Sequence, residues 1–342
     1  MNIFSIIAAV VAFAVTAASG YIIIPFLRKL KFGQTILDIG PKWHKEKQGT
    51  PTMGGIMIIL GVIVSLLITI GYSFIAKDSF SFQLSAYSLN VVVFVAGIIM
   101  ALGMALIGFI DDYIKVVKKR NLGLTARQKT FLQLFVSAAF LATLAFSGMN
   151  TTYIPFVGEI DITKGFGLLF WPISLMFIYG FTNAVNLTDG LDGLASSVTL
   201  VVSCAFMLAS VAIPAEKYTT NVLSASMAGA CTGFIVWNAK PAKVFMGDTG
   251  SMFLGGMVVA LSFGIGRPVL LIFAGCLYLI EAISVMLQVG YFKLTKKRLF
   301  KMAPLHHHFE MCGWSEQKVV FFFSSIAFLG SLLMLLSIML NW

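Results

Sequence analysis

Charge is scarce in this chain of 342 residues: Asp, Glu, Lys and Arg make up 11%, where an ordinary soluble domain carries about a quarter. That deficit excludes a soluble enzyme and a disordered chain, both of which depend on solvated charge. Cysteine is scarcer still, at four residues. Cys204, Cys231 and Cys276 lie in apolar stretches and Cys312 in a basic loop, with no pair in CxxC spacing. Neither a disulfide frame nor a zinc knuckle is therefore expected. No basic start precedes the first apolar run, since the first charge is Arg28, so a signal peptide is not expected. The long apolar runs are also unlike the alternating strands of an outer-membrane barrel.

Apolar residues are abundant, at 58% of the chain with a mean hydropathy of +0.93. At roughly 20 residues per membrane-crossing helix, that supply covers about ten. The runs fall at about 3–25, 53–75, 89–110, 130–148, 168–186, 193–213, 222–239, 251–266, 268–291 and 319–340. The chain reads as an all-α polytopic membrane protein of about ten transmembrane helices, forming a single membrane-embedded domain over residues 1–342. Ser, Gly, Ala and Thr dilute the seventh and eighth runs, and Gly229 and Gly233 form a GxxxG. Such residues mark close helix packing, and with a lipid-exposed face they make a homodimer a reasonable expectation.

The net charge of +10 would suggest nucleic acid in a soluble chain. Here Lys and Arg follow the topology instead, and no nucleic-acid partner is expected. One alternating set of loops holds 20 of them and the other set only Lys77, Lys164, Lys217 and Arg267. The positive-inside rule makes the first set cytoplasmic and puts both termini outside. On the outer face, Tyr153–Ile162 alternates apolar and polar residues around a Val-Gly centre and reads as a small periplasmic β-hairpin. Trp171, Trp237 and Trp342 fall near helix ends, as membrane-interface anchors do.

Nine of the 14 acids lie in the cytoplasmic loops, and Glu281 alone sits inside an apolar run. Ion carriers place ionisable groups near mid-membrane. Acids gathered at helix ends suit an active site at the membrane surface, open to a soluble substrate and a lipid headgroup. Asp111 and Asp112 close the third run, with Lys115 placed to lean over both if the helix continues. Asn186, Asp189 and Asp192 are spaced by three between the fifth and sixth runs, beside Gly190, Gly193 and Leu194, with no Lys or Arg in that loop. Singly, these read as a solvated helix end and an Asx-glycine turn; together they suggest a polar ligand or cation site.

Gly247-Asp248-Thr249-Gly250-Ser251 opens the eighth run. Asp248 is a candidate N-cap and a hard oxygen ligand for Mg²⁺, which takes one or two carboxylates plus phosphate and water. Phe245 is the nearest aromatic able to stack on a base, and Asn238 lies just upstream. His306, His307 and His308 follow in a basic loop without Cys or HExxH partners, so phosphate binding or proton transfer is favoured over zinc. In the first loop, Lys47 can meet a phosphate and Thr52 can cap the second helix.

Gly-Thr-Pro-Thr-Met-Gly-Gly (49–55), Phe-Ile-Asp-Asp-Tyr (109–113), Asn-Leu-Thr-Asp-Gly-Leu-Asp-Gly-Leu (186–194), Phe-Met-Gly-Asp-Thr-Gly-Ser (245–251) and Pro-Leu-His-His-His-Phe-Glu (304–310) occur in this order. The set resembles that of the bacterial phospho-N-acetylmuramoyl-pentapeptide transferases. Parts of it also resemble the wider polyprenyl-phosphate N-acetylhexosamine-1-phosphate transferases. The histidine stretch favours the muramoyl-peptide branch.

The resemblance implies an enzyme of the bacterial inner membrane that joins UDP-N-acetylmuramoyl-pentapeptide to undecaprenyl phosphate with Mg²⁺, giving lipid I and UMP in peptidoglycan synthesis. It implies Asp111, Asp112, Asp248 and His307 as catalytic, with Asp248 on the metal. Lys47, Lys115, Lys129, Asn186, Asp189, Asp192, Gly193, Leu194, Asn238, Phe245, His306 and His308 would bind substrate. Two alternatives stay open from sequence: an N-acetylglucosamine-1-phosphate transferase using the same lipid, and a secondary transporter or lipid flippase. Against the transporter, the chain has no internal repeat and one acid within a span.

Overall fold

The computed structural model describes residues 3–30, 47, 49–76, 88–117, 122–213 and 217–340. Most of the first loop, with Asp38, His44 and Glu46, and also Asp78, Glu216 and Trp342, lie outside the described residues. The helices are α1 (Ile3–Lys29), α2 (Gly55–Ala76), α3 (Leu89–Val117), α4 (Ala126–Phe146), α5 (Phe170–Thr188), α6 (Leu194–Ala212), α7 (Tyr218–Asn238), α8 (Gly247–Gly264), α9 (Leu271–Ala274), α10 (Cys276–Thr295), α11 (Leu305–Met311) and α12 (Glu316–Met339). Among the described residues eight are long and apolar enough to cross a membrane: α1 to α6, α10 and α12. This is an all-α, multi-pass membrane protein.

The two long helices left out, α7 and α8, are the diluted seventh and eighth runs. Most residues of both are buried within the protein, so most of their surface need not match lipid. Small residues admit their neighbours. A Cβ on Gly229 would lie 2.1 Å from the carbonyl oxygen of Ala9, and one on Gly233 2.7 Å from that of Phe13. The GxxxG of α7 is thus filled by α1 of the same chain and offers no argument for a dimer. In the same manner α3 and α8 pack backbone to backbone, with a Cβ on Gly97 falling 2.7 Å from Ala260 and one on Gly256 2.7 Å from Ala101.

Buried polar side chains link the helices. Asn221 of α7 donates to the Met207 carbonyl at 2.9 Å and the Ser210 hydroxyl at 2.8 Å, and accepts from Ser5 of α1. Thr199 and Tyr278 bond at 2.7 Å between α6 and α10. Each such bond contributes roughly 0.6 kcal/mol in a membrane bundle. Outward faces are apolar, with Ile75, Phe146 and Phe321 largely exposed.

Four boundaries differ from the sequence reading. Helix α3 runs on to Val117, so Asp111, Asp112 and Lys115 are helical. Helix α4 starts earlier, at Ala126, behind a Thr125–Gln128 capping box. The run at 268–291 is broken: a 3₁₀ turn (Pro268–Leu270) and short α9 precede Gly275, where α10 begins. The histidine stretch is the helix α11 rather than a loop.

The hairpin is present as β1 (Thr151–Ile154) and β2 (Gly158–Asp161), antiparallel, with Thr151 opposite Asp161 and Ile154 opposite Gly158. Its turn is Pro155-Phe156-Val157, with Phe156 at φ 67°, one residue before the expected Val-Gly centre. Trp171 is more than an anchor, because its indole N–H donates to the Ile162 carbonyl at 3.2 Å and ties the hairpin to α5. Trp237 packs inward, donating to the Ala17 carbonyl at 2.8 Å.

Gly229→Val should strip α1 from α7, lowering stability by about 1–3 kcal/mol through overpacking. Gly71→Ala in α2, where a Cβ meets nothing within 4 Å, should leave stability unchanged or slightly raised. Thermal unfolding of the two variants in detergent checks the pair.

Candidate functional site

At the cluster the C-terminal end of α3 lies beside the N-terminal end of α8. Oxygens of Asp111, Asp112 and Asp248 all lie within 4.8 Å of one another. The expected N-cap role of Asp248 is taken by Asp112, which reaches across from α3. Asp112 accepts from the Asp248 amide at 3.2 Å, the Thr249 amide at 2.9 Å and the Thr249 hydroxyl at 2.8 Å. A carboxylate there satisfies orphan N–H groups and meets the positive end of the helix dipole. Glycine makes the approach possible. Gly247 has φ 74° and would place a Cβ 2.6 Å from Asp112 Oδ2, while a Cβ on Gly108 would fall 2.2 Å from the Asp248 carbonyl oxygen.

Cations and amides offset the gathered negative charge. Lys115 Nζ lies 2.6 Å from Asp111 Oδ2 and 3.1 Å from Asp248 Oδ2, and Lys129 Nζ lies 2.8 Å from the latter. Asn186 donates to Asp248 Oδ1 at 3.0 Å and to Ser251 at 2.7 Å. The Leu124 amide donates to Asp111 Oδ1 at 2.7 Å. Among the described residues Asp189, just beyond α5, has no such compensation. Loss of hydration, then the charges of Asp248, Asp112 and Asp192, push its carboxyl up to about 8.

Asp192 belongs to a neighbouring ionic cluster. It pairs with Lys47 at 2.7 Å and accepts from the Ala242 amide at 3.1 Å. Lys47 also pairs with Glu316, which pairs with Lys240 at 2.9 Å. The 186–194 loop therefore does have cationic partners, supplied from distant stretches of chain. Asn238 is structural in its contacts: it accepts from the Gly193 amide at 3.0 Å and donates to the Val244 carbonyl at 2.9 Å. Gly193 takes φ 80° and Leu194 is fully buried at the start of α6. Phe245 is half-buried, its amide donating to Pro51 and its carbonyl accepting from Gly54, both at 2.8 Å. The 49–55 and 245–251 stretches are thus stitched together.

The three histidines diverge. His306 is buried with Nδ1 3.2 Å from Glu281 Oε2, and its Nε2 faces Gly190, where a Cβ would fall 2.1 Å away. His307 Nδ1 lies 2.8 Å from Glu310. His308 Nδ1 accepts from the Lys301 amide at 3.1 Å, and its Nε2 faces Cys312. Thr249, Ser251, Lys240 and Glu310 enter the site unannounced. Their only signal in the sequence was nearness to an acid or a histidine already singled out.

The donor chemistry fits a divalent cation. All three carboxylates offer hard oxygens, and Asp248 is the most open, its side chain 20% exposed. Asp112 spends both oxygens on α8, leaving Asp248 and Asp111 as the ligands of choice.

Residues 92–265 match the model of Glycosyl transferase family 4, which defines the class: a multi-pass membrane glycosyl transferase. Residues 47–59 match Phospho-N-acetylmuramoyl-pentapeptide-transferase signature 1. A phospho-N-acetylmuramoyl-pentapeptide-transferase of Caldicellulosiruptor bescii is 45% identical over 342 residues, covering 100% of this chain and 99% of its own. One from Clostridioides difficile is 47% identical over 92% of both chains, and one from Bacillus cytotoxicus 44% identical over 96% of both. The chain belongs to the phospho-N-acetylmuramoyl-pentapeptide-transferase family.

In metal-free protein, Asp189 is protonated below about pH 8 and charged above it. A carboxyl raised above its unfolded value binds its proton better in the fold, so stability falls as pH rises from about 4 through 8. Asp189→Asn, which stays neutral, should melt with the parent near pH 4, above it at pH 6 and further above it at pH 9 in EDTA-treated detergent solution.

Proposed function

We propose that this protein transfers phospho-N-acetylmuramoyl-pentapeptide from UDP-N-acetylmuramoyl-pentapeptide to undecaprenyl phosphate, releasing UMP, with Mg²⁺ as its cofactor. The observation that carries the reading is the Asp111–Asp112–Asp248 cluster with Lys115 and Lys129 against it. The reaction brings a phosphate up to a diphosphate, so a site must offset several negative charges at once. The long Lys and Arg loops support placing this end of the bundle in the cytoplasm and both termini outside.

An oxygen of the prenyl phosphate attacks the sugar-bearing phosphorus of the diphosphate. The new P–O bond forms as the bond to UMP breaks. Lys115 and Lys129 leave Asp248 in part to meet phosphate oxygens. Asn186 holds Asp248 in orientation, and Asp112 fixes the α8 terminus on which Asp248 sits. Mg²⁺, held by Asp248 with Asp111 beside it, would neutralise diphosphate charge and stabilise the departing UMP. His307, oriented by Glu310, is assigned to the same cluster as a hydrogen-bond donor to phosphate oxygens. Lys47, Asp192, Gly193, Leu194, Asn238 and Phe245 are assigned to the nucleotide side, with His306 and His308 supporting α11.

A general base is not required, because a phosphomonoester has its second pKa near 6. Asp111 already holds the Lys115 ammonium and the Leu124 amide, which suits positioning better than proton removal.

Asp248→Ala should lower UMP release on the order of 100-fold or more, without rescue by added Mg²⁺, and EDTA should abolish release by the parent. Near-normal activity would remove Asp248 from the metal site. For Asp111→Asn, a uniform drop in turnover from pH 6 to 9 is expected. A loss confined to low pH, where the prenyl phosphate is still protonated, would restore the base role.

A further inference from the structure

The ends of α3 and α8 remote from the carboxylates enclose a second feature. A cavity of about 290 Å³ lies between Leu89 and Asn90 of α3, the hairpin, and the stretch from Phe263 to Arg267. At 1.5 Å per residue, Asn90 and Asp111 stand about 32 Å apart along α3, so the cavity opens at the opposite end of the bundle. Lys217 and Arg267 both line it. They are two of the four cations in the sparsely charged set of loops.

Each cation is held for use. The Arg267 guanidinium lies over the Tyr153 ring at 4.0 Å, a stacking that fixes its plane. Its Nη1 is buried with no hydrogen-bond partner among the described residues. Lys217 Nζ donates to Asn90 at 2.7 Å, and burial pushes its pKa down, a cost that a nearby anion would relieve. Thr152 is 3% exposed, lines the cavity, and its hydroxyl also lacks a partner among the described residues. Glu159, exposed, is the one acid lining the wall. Buried donors without acceptors are costly, and here two of them, the Arg267 Nη1 and the Thr152 hydroxyl, stand with the Lys217 ammonium on one cavity and point to one missing partner class: an anion rich in acceptor oxygens.

We propose that this cavity binds the phosphate of an anionic lipid headgroup, drawn from the leaflet opposite the carboxylate site. A lipid suits it better than bare phosphate because Leu89, Val93, Met149, Ile213 and Phe263 supply an apolar wall beside the cations. The inference is independent of the transfer reaction, since neither cation belongs to the reaction site.

The test uses the full-length protein in neutral detergent, titrated separately with dihexanoyl phosphatidylglycerol, dihexanoyl phosphatidylcholine and inorganic phosphate, with thermal unfolding as the readout. Phosphatidylglycerol should raise the melting temperature of the parent and phosphatidylcholine should not. Arg267→Gln and Lys217→Gln should each weaken the phosphatidylglycerol response about tenfold in concentration, the loss expected for one charged hydrogen bond. UMP release should be retained in both, which also reports that they fold, and either variant suffices if the other is unstable. Equal responses to inorganic phosphate and phosphatidylglycerol, both weakened in the variants, would keep the anion site and overturn its lipid assignment. Unweakened responses in the variants would overturn the site.

Discussion

One contact organises the carboxylate-bearing end of this protein: the carboxylate of Asp112, on α3, closing the N-terminus of α8. It satisfies two orphan amides and a hydroxyl at the start of α8. Bonds to a charged group contribute roughly 1.5–3 kcal/mol each, and they act between elements more than a hundred residues apart in sequence. Because Asp111 precedes Asp112 on the same helix and Asp248 follows the capped terminus, the cap brings the other two carboxylates together. The glycines at 108 and 247 are the steric condition for it.

Such a cluster is unstable by itself, and the surrounding residues read as its compensation. Lys115 comes from one turn further along α3 and Lys129 from the first turn of α4, so both are delivered by helices rather than by loops. A second ring of charge, Lys47 with Asp192, Glu316 and Lys240, ties the first loop, the 186–194 loop and the start of α12 to one another. The carboxylate cluster is thus flanked by a second set of ion pairs that joins stretches far apart in sequence.

Much of this was legible in the chain. Apolar runs located the long helices, because a membrane demands length and composition together. The dilution of the seventh and eighth runs reflected their burial behind other helices, a property that composition hints at and contacts establish. The acid-bearing motifs were visible, and Lys115 over Asp111 followed from helical spacing once α3 continued. Partnerships over long sequence distance were not legible. Nothing local announces that Lys47 meets Glu316, or that Asp112 rather than Asp248 performs the cap. The interruption at Gly275 was masked by the apolar residues on both sides of it, since hydropathy does not register a break in backbone geometry.

The hydrogen-only side chain at position 190 leaves just enough room for the His306 ring. That ring is in turn braced by Glu281 from the membrane interior. The spacing between the acid-bearing loop and the histidine helix is therefore set by an absent methyl group. Substitution at the two positions is coupled: a larger residue at 190 would displace the ring unless a smaller one stood at 306.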